Sequence, residues 1–141
     1  MTTKYAGIYS FGNDLESGST GNISIYPETD TTILFYIELN RGAPSYNSGT
    51  LYGRVTIRNG KGTFYTESQY SDDGCKWNFD FTTKDLTIST IDDQYACGFG
   101  HAVFVDGIFN KQATKAIDFF KDMEDTKIYF EKTKPEDYYR D

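Results

Sequence analysis

The sequence predicts an all-β fold, a single antiparallel β-barrel of about eight or nine strands with one short helix near the C-terminus. Short runs of β-branched and aromatic residues, many of them alternating with polar residues, recur along the chain, separated by Gly, Asn and Asp. Strand segments at a spacing of roughly 8–12 residues are typical of antiparallel sandwiches and barrels. Most of the connections are short, which favours a barrel because Greek-key crossovers need longer ones.

Length and charge narrow the class of protein. The 141 residues predict one domain, residues 1–141, with one core. A formal charge of −7 argues against nucleic acid or an anionic membrane as the main partner, since both require a positive field. Aromatic residues make up 17% of the chain, too many for a disordered acidic segment. No apolar run approaches the roughly 20 residues of a transmembrane helix.

Five segments in the first half of the chain are predicted strands. The third is the most apolar and is predicted to be central. Asn59 and Gly60 separate the last two and predict a two-residue hairpin, because both turn positions need a positive φ. The segments are residues 4–10, 22–26, 32–39, 49–58 and 62–68.

The strongest alternation in the second half lies in residues 75–82. It directs Cys75, Trp77, Phe79 and Phe81 to one face of a strand. A tight turn then leads to a partner strand, which predicts a hairpin. Further strands are predicted after Asp106-Gly107 and at residues 127–132, and the predicted partner strand is residues 86–91.

Helical character is confined to the C-terminal part of the chain. Residues 112–125 place Ala116, Ile117, Phe119, Phe120 and Met123 at helical spacing, so we predict the helix there. The tail, residues 135–141, has the composition of one helical turn.

The two cysteines, Cys75 and Cys97, bear on the cellular compartment. An even count in a small acidic domain is typical of one structural disulfide, and the predicted hairpin brings Cys75 within a few residues of Cys97. The alternative is two buried thiols in a cytoplasmic protein. A disulfide would agree with a periplasmic or secreted protein. Residues 1–5 do not have the character of a signal peptide, so we expect the signal peptide of such a protein to be missing from this sequence.

Residues suited to catalysis or metal binding are few. His101 has no nucleophile motif around it, and a loop-capping histidine is the simpler interpretation. The pairs Asp72-Asp73 and Asp92-Asp93 are more typical of solvated turns than of a glycosidase site, and calcium-loop spacing is absent. We therefore predict no enzyme, no cofactor and no metal site.

The aromatic residues allow two interpretations. Inward rings can fill the core, or they can line a hollow barrel that carries a small apolar ligand, as in the lipocalin type. The predicted inward rings are Phe35, Trp77, Phe79, Phe81, Phe104 and Phe130. Tyrosines on the polar side can form a contact surface for protein or carbohydrate. These are Tyr26, Tyr36, Tyr46, Tyr52 and Tyr65.

Residues 75–111 carry a resemblance to a known group of proteins. Cys75-Lys-Trp77-Asn-Phe79-Asp-Phe81 is followed by Cys97-Gly-Phe-Gly100 and by Asp106-Gly-Ile-Phe-Asn-Lys111. This pattern resembles small exported bacterial β-barrel proteins of the lipoprotein-like or lysozyme-inhibitor-like kind. The resemblance implies a barrel and a bridge between the two cysteines. It does not supply binding residues.

The sequence therefore predicts a non-enzymatic exported binding protein, an inhibitor or immunity-type protein that acts on a basic partner such as a cell-wall hydrolase. A negatively charged domain attracts a cationic partner. The predicted contact residues are Tyr46, Phe99 and His101, although Gly98-Phe99-Gly100 also fits a tight bend that closes the barrel. The alternative function is a lipocalin-type carrier of a small apolar ligand.

Overall fold

Ten strands, a 3₁₀ helix and one short α-helix make up the described part of the chain. The computed structural model describes residues 2–12, 20–40, 48–66, 75–91 and 107–139. The 3₁₀ helix is Thr2–Tyr5 and α1 is Pro135–Tyr138. The strands are β1 Gly7–Phe11, β2 Thr20–Pro27, β3 Thr32–Asn40, β4 Ser48–Thr56, β5 Lys61–Thr66, β6 Cys75–Phe81, β7 Asp85–Thr90, β8 Gly107–Ala113, β9 Phe119–Lys121 and β10 Lys127–Tyr129.

Strands β1–β8 form one antiparallel sheet that is nearly closed into a barrel. Its strand order is β4-β3-β2-β1-β8-β7-β6-β5, so each strand lies beside its sequence neighbours and β8 returns to pair with β1. Between β4 and β5 the described residues form a single bridge, Arg58 with Lys61. We call this junction the seam. The topology confirms the predicted antiparallel barrel with one short helix near the C-terminus.

The seam begins at the predicted Asn59-Gly60 turn, which is confirmed. Both residues have positive φ, 52° and 79°, as a two-residue hairpin requires. The backbone N–H of Arg58 donates to the carbonyl of Lys61 at 2.8 Å, and the reverse bond is 3.0 Å. This turn joins the two edge strands that have no further ladder between them.

Two glycines let the edge strands approach without a ladder. A Cβ at Gly62 would lie 2.3 Å from the carbonyl oxygen of Thr56. A Cβ at Gly53 would lie 2.5 Å from the ring of Phe64 and 2.8 Å from the ring of Phe35. Among the described residues, the seam is therefore held by close contact and ring packing, with backbone hydrogen bonds only at the Arg58–Lys61 bridge.

Aromatic rings fill the barrel interior. The predicted alternation of β6 is confirmed, since Cys75, Trp77, Phe79 and Phe81 are all buried. Phe35 on β3 contacts rings on strands that face it across the interior: the ring centroids of Trp77 and Phe79 lie 5.8 Å and 5.1 Å from its own. Such ring pairs stabilise beyond the area they bury, by about 0.5–1.5 kcal/mol each.

A second apolar cluster lies outside the barrel. The C-terminal segment, residues 117–139, packs on the outer faces of β2, β3 and β4. The ring of Phe120 stacks on Tyr36 with centroids 3.9 Å apart, and Phe130 stacks on Tyr26 at 5.0 Å. Strand β3 is consequently buried on both faces, which explains why it is the most apolar segment of the sequence.

The structure overturns the helix predicted at residues 112–125. Strand β8 continues to Ala113, and Phe119–Lys121 pairs with Lys127–Tyr129 as a hairpin. The Asp122 carboxylate accepts hydrogen bonds from the backbone of Glu124 and Thr126, and this turn outweighs the weak helical pattern. The helix lies in the tail, at Pro135–Tyr138.

The second cluster also corrects three aromatic assignments. Phe130 is buried outside the barrel and not in its interior. Tyr36 and Tyr52 are buried under the C-terminal segment and do not form an exposed contact surface. Burial raises the pKa of Tyr36 to about 12, and the negative charge of Glu38 adds to the rise. Tyr65 is 54% exposed, as predicted for a polar-side tyrosine.

An ion cluster fastens the C-terminal segment to the barrel. The Arg54 guanidinium on β4 donates to the Glu28 carboxylate at 2.7 Å and to the Glu136 carboxylate of α1 at 2.9 Å. The hydrogen bond from Arg54 lowers the pKa of Glu28, helped by Thr32 and opposed by burial. Nearby, the Tyr52 backbone N–H donates to the Tyr139 hydroxyl at 2.9 Å. These contacts protect the β4 edge at the seam.

We expect Gly62→Ala to destabilise the protein by about 1–3 kcal/mol, because the added methyl group meets backbone that cannot move without opening the seam. Chemical denaturation measures the change in unfolding free energy. The control is Thr63→Ala, on the exposed face of the same strand, with an expected change within about 0.5 kcal/mol. Equal effects of the two variants would contradict the close contact.

We expect Glu28→Gln to lower the unfolding free energy at pH 7 by about 1.5–3 kcal/mol, since Glu28 loses charged hydrogen bonds in a site only 12% exposed. Because the folded pKa of Glu28 is lowered, its contribution is present above the unfolded pKa. The difference from wild type should therefore shrink as the pH falls below roughly 5.

The matched control for Glu28→Gln is Glu136→Gln, which breaks the more exposed arm of the same cluster. Its expected cost is below about 1 kcal/mol. Denaturation at a series of pH values measures both variants, and a Glu28 effect that did not change with pH would contradict the assigned ion pair.

Candidate functional site: the loop end of the barrel

The barrel has two different ends. At one end, short turns join β2 to β3, β4 to β5 and β6 to β7. At the other end lie the strand termini that flank residues 13–19, 41–47, 67–74 and 92–106. The strand pairing places these termini together, since Phe11 pairs with Gly21, Asn40 with Ser48 and Thr66 with Cys75. We call this the loop end, after the chain segments that must connect there.

The charge of the protein is concentrated in the four connecting segments. They contain eight of the 21 acidic residues and one of the 14 Lys and Arg residues. Their formal charge is therefore −7, equal to that of the whole chain, so the remainder of the sequence is formally neutral. This asymmetry follows from sequence and topology together, because the segments are far apart along the chain.

The predicted contact residues all belong to these segments. Tyr46, Phe99 and His101 lie outside the described residues, as does Cys97. We place them at the loop end only because the described strands on either side of their segments end there. Their role as contact residues stays a prediction.

Cys75 is the described half of the predicted disulfide. It is buried, with 1% exposure, at the first residue of β6 and thus at the loop end. The hairpin that precedes Cys97 is confirmed, because Trp77 pairs with Thr90 and Phe81 with Leu86. The chain leaves β7 toward Cys97 at the same end of the barrel, which agrees with the prediction without testing the bond.

Packed rings occupy the interior just below the loop end. Phe11 on β1 and Phe109 on β8 meet edge to face with centroids 5.0 Å apart. A Cβ at Gly21 would lie 2.4 Å from Phe11 and 3.1 Å from Phe109, so this position has room for hydrogen only. Side chains fill the interior in this described part of the barrel.

The described residues offer little convergent acid–base chemistry. Within them, no group of three His, Cys, Asp or Glu residues could hold a metal ion. Burial raises the pKa of several tyrosines, among them Tyr9, where the neighbouring Tyr5 and Asp85 add to the rise. The Tyr9 hydroxyl donates to the carbonyl of Tyr5 at 2.8 Å, which is a structural contact.

Sequence reasoning did not identify the surface features of the C-terminal segment. Met123, at the tip of the β9–β10 turn, is 65% exposed, and Tyr129 and Ile117 are partly exposed. The predicted helix buried Met123 and Ile117 on its apolar face. Only the hairpin pairing shows that they face solvent.

Comparisons with known proteins add no relatives: no protein-family model, curated protein or solved structure matches the chain. Among the helices in the described ranges, none has the length and apolar character needed to cross a membrane.

We expect the denatured protein to show no reactive thiol without reductant, because the predicted bridge joins its two cysteines. A thiol reagent measures this directly, and reduction should release two thiols. The control is Cys75→Ser, which should leave one reactive thiol, that of Cys97. Two thiols in unreduced wild type would show that the disulfide prediction is wrong.

Proposed function

We propose that the protein is an exported, non-enzymatic binding protein whose acidic loop end engages a basic protein partner. A cell-wall hydrolase is a suitable partner class, and an inhibitor or immunity-type role is the corresponding activity. The observation that supports this proposal is the convergence at one end of the barrel of four chain segments that carry the entire net charge.

Electrostatics explains why such an arrangement suits a basic partner. A surface of one sign of charge raises the encounter rate with an oppositely charged protein by 10- to 1,000-fold at low salt, in rough terms. The remainder of the chain is formally neutral, so the field is directional and orients the partner toward the loop end. Tyr46, Phe99 and His101 in the same segments are the proposed short-range contacts.

Rigid support for these segments comes from the barrel beneath them. Phe35 and Trp77 are fully buried and tie facing strands together across the interior, and the buried Phe109 packs on Phe11 of the neighbouring strand. Preorganised strand ends beneath the binding segments reduce the ordering cost of association. The proposed bridge between Cys75 and Cys97 would restrain the longest segment further and agrees with export to the periplasm or beyond.

The carrier alternative finds no support in the packing of the described interior. A lipocalin-type carrier needs a continuous cavity, commonly 300–1,000 Å³ in rough terms. In the described strands, rings from β3 contact rings from β5 and β6 across the barrel, with the Phe35 and Phe64 centroids 5.1 Å apart. We therefore propose binding at the rim rather than inside the barrel.

The test is binding to a panel of basic muramidases, measured by surface plasmon resonance at several salt concentrations. The variant is Asp72→Asn/Asp73→Asn in a loop-end segment. We expect its association rate at low salt to fall about three- to tenfold, because two attracting charges are removed. We expect Phe99→Ala to raise the dissociation rate by about fivefold or more.

The matched control is Asp118→Asn/Glu124→Gln, which removes two exposed acidic charges from the C-terminal segment. We expect it to leave association nearly unchanged. An equal fall in the association rate of both double variants would show that only net charge matters, and would reject the loop end as the binding site. Failure to bind any basic hydrolase, together with uptake of an apolar fluorescent ligand, would favour the carrier.

A further inference from the structure

A lysine-lined groove lies away from the loop end, beside the short-turn end of the barrel. The turn between β6 and β7 supplies Thr83 and Lys84, and the end of β8 with the residues after it supplies the other wall. The groove offers a volume of about 730 Å³. Its second wall consists of Asn110, Lys111, Gln112, Ala113, Thr114 and Lys115.

The groove is cationic in an acidic protein. Three of its lining residues are lysines and none is acidic. The nearest acid in sequence, Asp85, has its carboxylate engaged by the Thr82 hydroxyl at 2.9 Å. Within the described residues, no carboxylate lies within ion-pair distance of Lys84, Lys111 or Lys115. By contrast, two lysines of the C-terminal segment are paired, Lys121 with Asp125 and Lys134 with Glu28.

The groove is also preorganised. The Lys111 ammonium donates to the carbonyl of Lys4 at 3.2 Å and lies 5.4 Å from the centroid of the buried Tyr9 ring. The Lys111 backbone N–H donates to the carbonyl of Lys84 at 2.8 Å, which ties the two walls together. The Lys84 backbone is held in turn by the Thr82 hydroxyl at 3.1 Å.

We propose that this groove binds the phosphate group of an anionic ligand. The lysines of the lining bring only donors and positive charge, and the natural complement of such groups is an acceptor-only oxyanion. Asn110 and Gln112 extend the polar lining with amide groups. The site is independent of the proposed function, because it uses different residues and opposite charge.

Inorganic phosphate is the first probe, titrated into the full-length protein at low ionic strength and followed by amide chemical shifts. We expect saturable shifts at Lys84 and at residues 110–115. In Lys84→Gln/Lys111→Gln/Lys115→Gln, the affinity should fall about tenfold or more. Because Lys111 also contacts Tyr9, the double variant Lys84→Gln/Lys115→Gln keeps the test valid if the triple variant is unstable.

The matched control is Lys121→Gln/Lys127→Gln/Lys132→Gln, which removes the same charge from the C-terminal segment. We expect it to bind phosphate like wild type. Equal weakening in both triple variants, or shifts spread over all lysines, would show non-specific attraction and overturn the proposal.

A second measurement distinguishes a free phosphate from a lipid headgroup. Vesicles of phosphatidylglycerol are compared with vesicles of phosphatidylcholine in a sedimentation assay. Lysine-dependent binding to the anionic vesicles assigns the phosphate to a lipid surface, and saturation by inorganic phosphate alone assigns it to a soluble ligand. The absence of binding in both assays overturns the proposal.

Discussion

The seam between β4 and β5 is the constraint on which the rest of the structure depends. Eight strands are enough to close a barrel with a packed interior, yet these two edges share only the bridge at Arg58 and Lys61 in the described residues. Closure then depends on side chains. Phe64 lies against the bare backbone of Gly53 inside the barrel, and the C-terminal segment covers the β4 edge outside it.

The C-terminal segment supplies the aromatic and acidic side chains that cover the outside of the barrel near the seam. It brings rings to the outer faces of β2–β4 and an acidic helix to Arg54, so that strand β3 is enclosed by two clusters. An exposed strand edge is a site for aggregation, and the hydroxyl of Tyr139 satisfies one of its donors. The segment is thus packed into the barrel wall and is not an appendage.

The two ends of the barrel differ in charge. The connecting segments at the loop end carry −7, whereas the groove near the other end is lined by Lys84, Lys111 and Lys115. A molecule with this polarity would present opposite fields to the two proposed partners. The proposed basic partner and the proposed phosphate ligand would not compete for residues, so each can be examined without the other.

The sequence alone determined the strands of the barrel, because alternation of apolar and polar residues is a local property that survives into the fold. It also determined the Asn59-Gly60 turn, because Asn and Gly are among the few residue types that readily adopt the positive φ that a two-residue hairpin requires. It did not determine the secondary structure of residues 112–125, where the pairing of Phe120 with Ile128 and burial on Tyr36 decided between helix and hairpin.

The candidate site was also predictable only in part. Its acidic and aromatic residues can be read from the sequence, but the strand order decides that the segments carrying them connect at one end of the barrel. The lysine groove was visible only in the tertiary structure, because the antiparallel pairing of β7 with β8 brings Lys84, just before β7, beside Lys111 on β8.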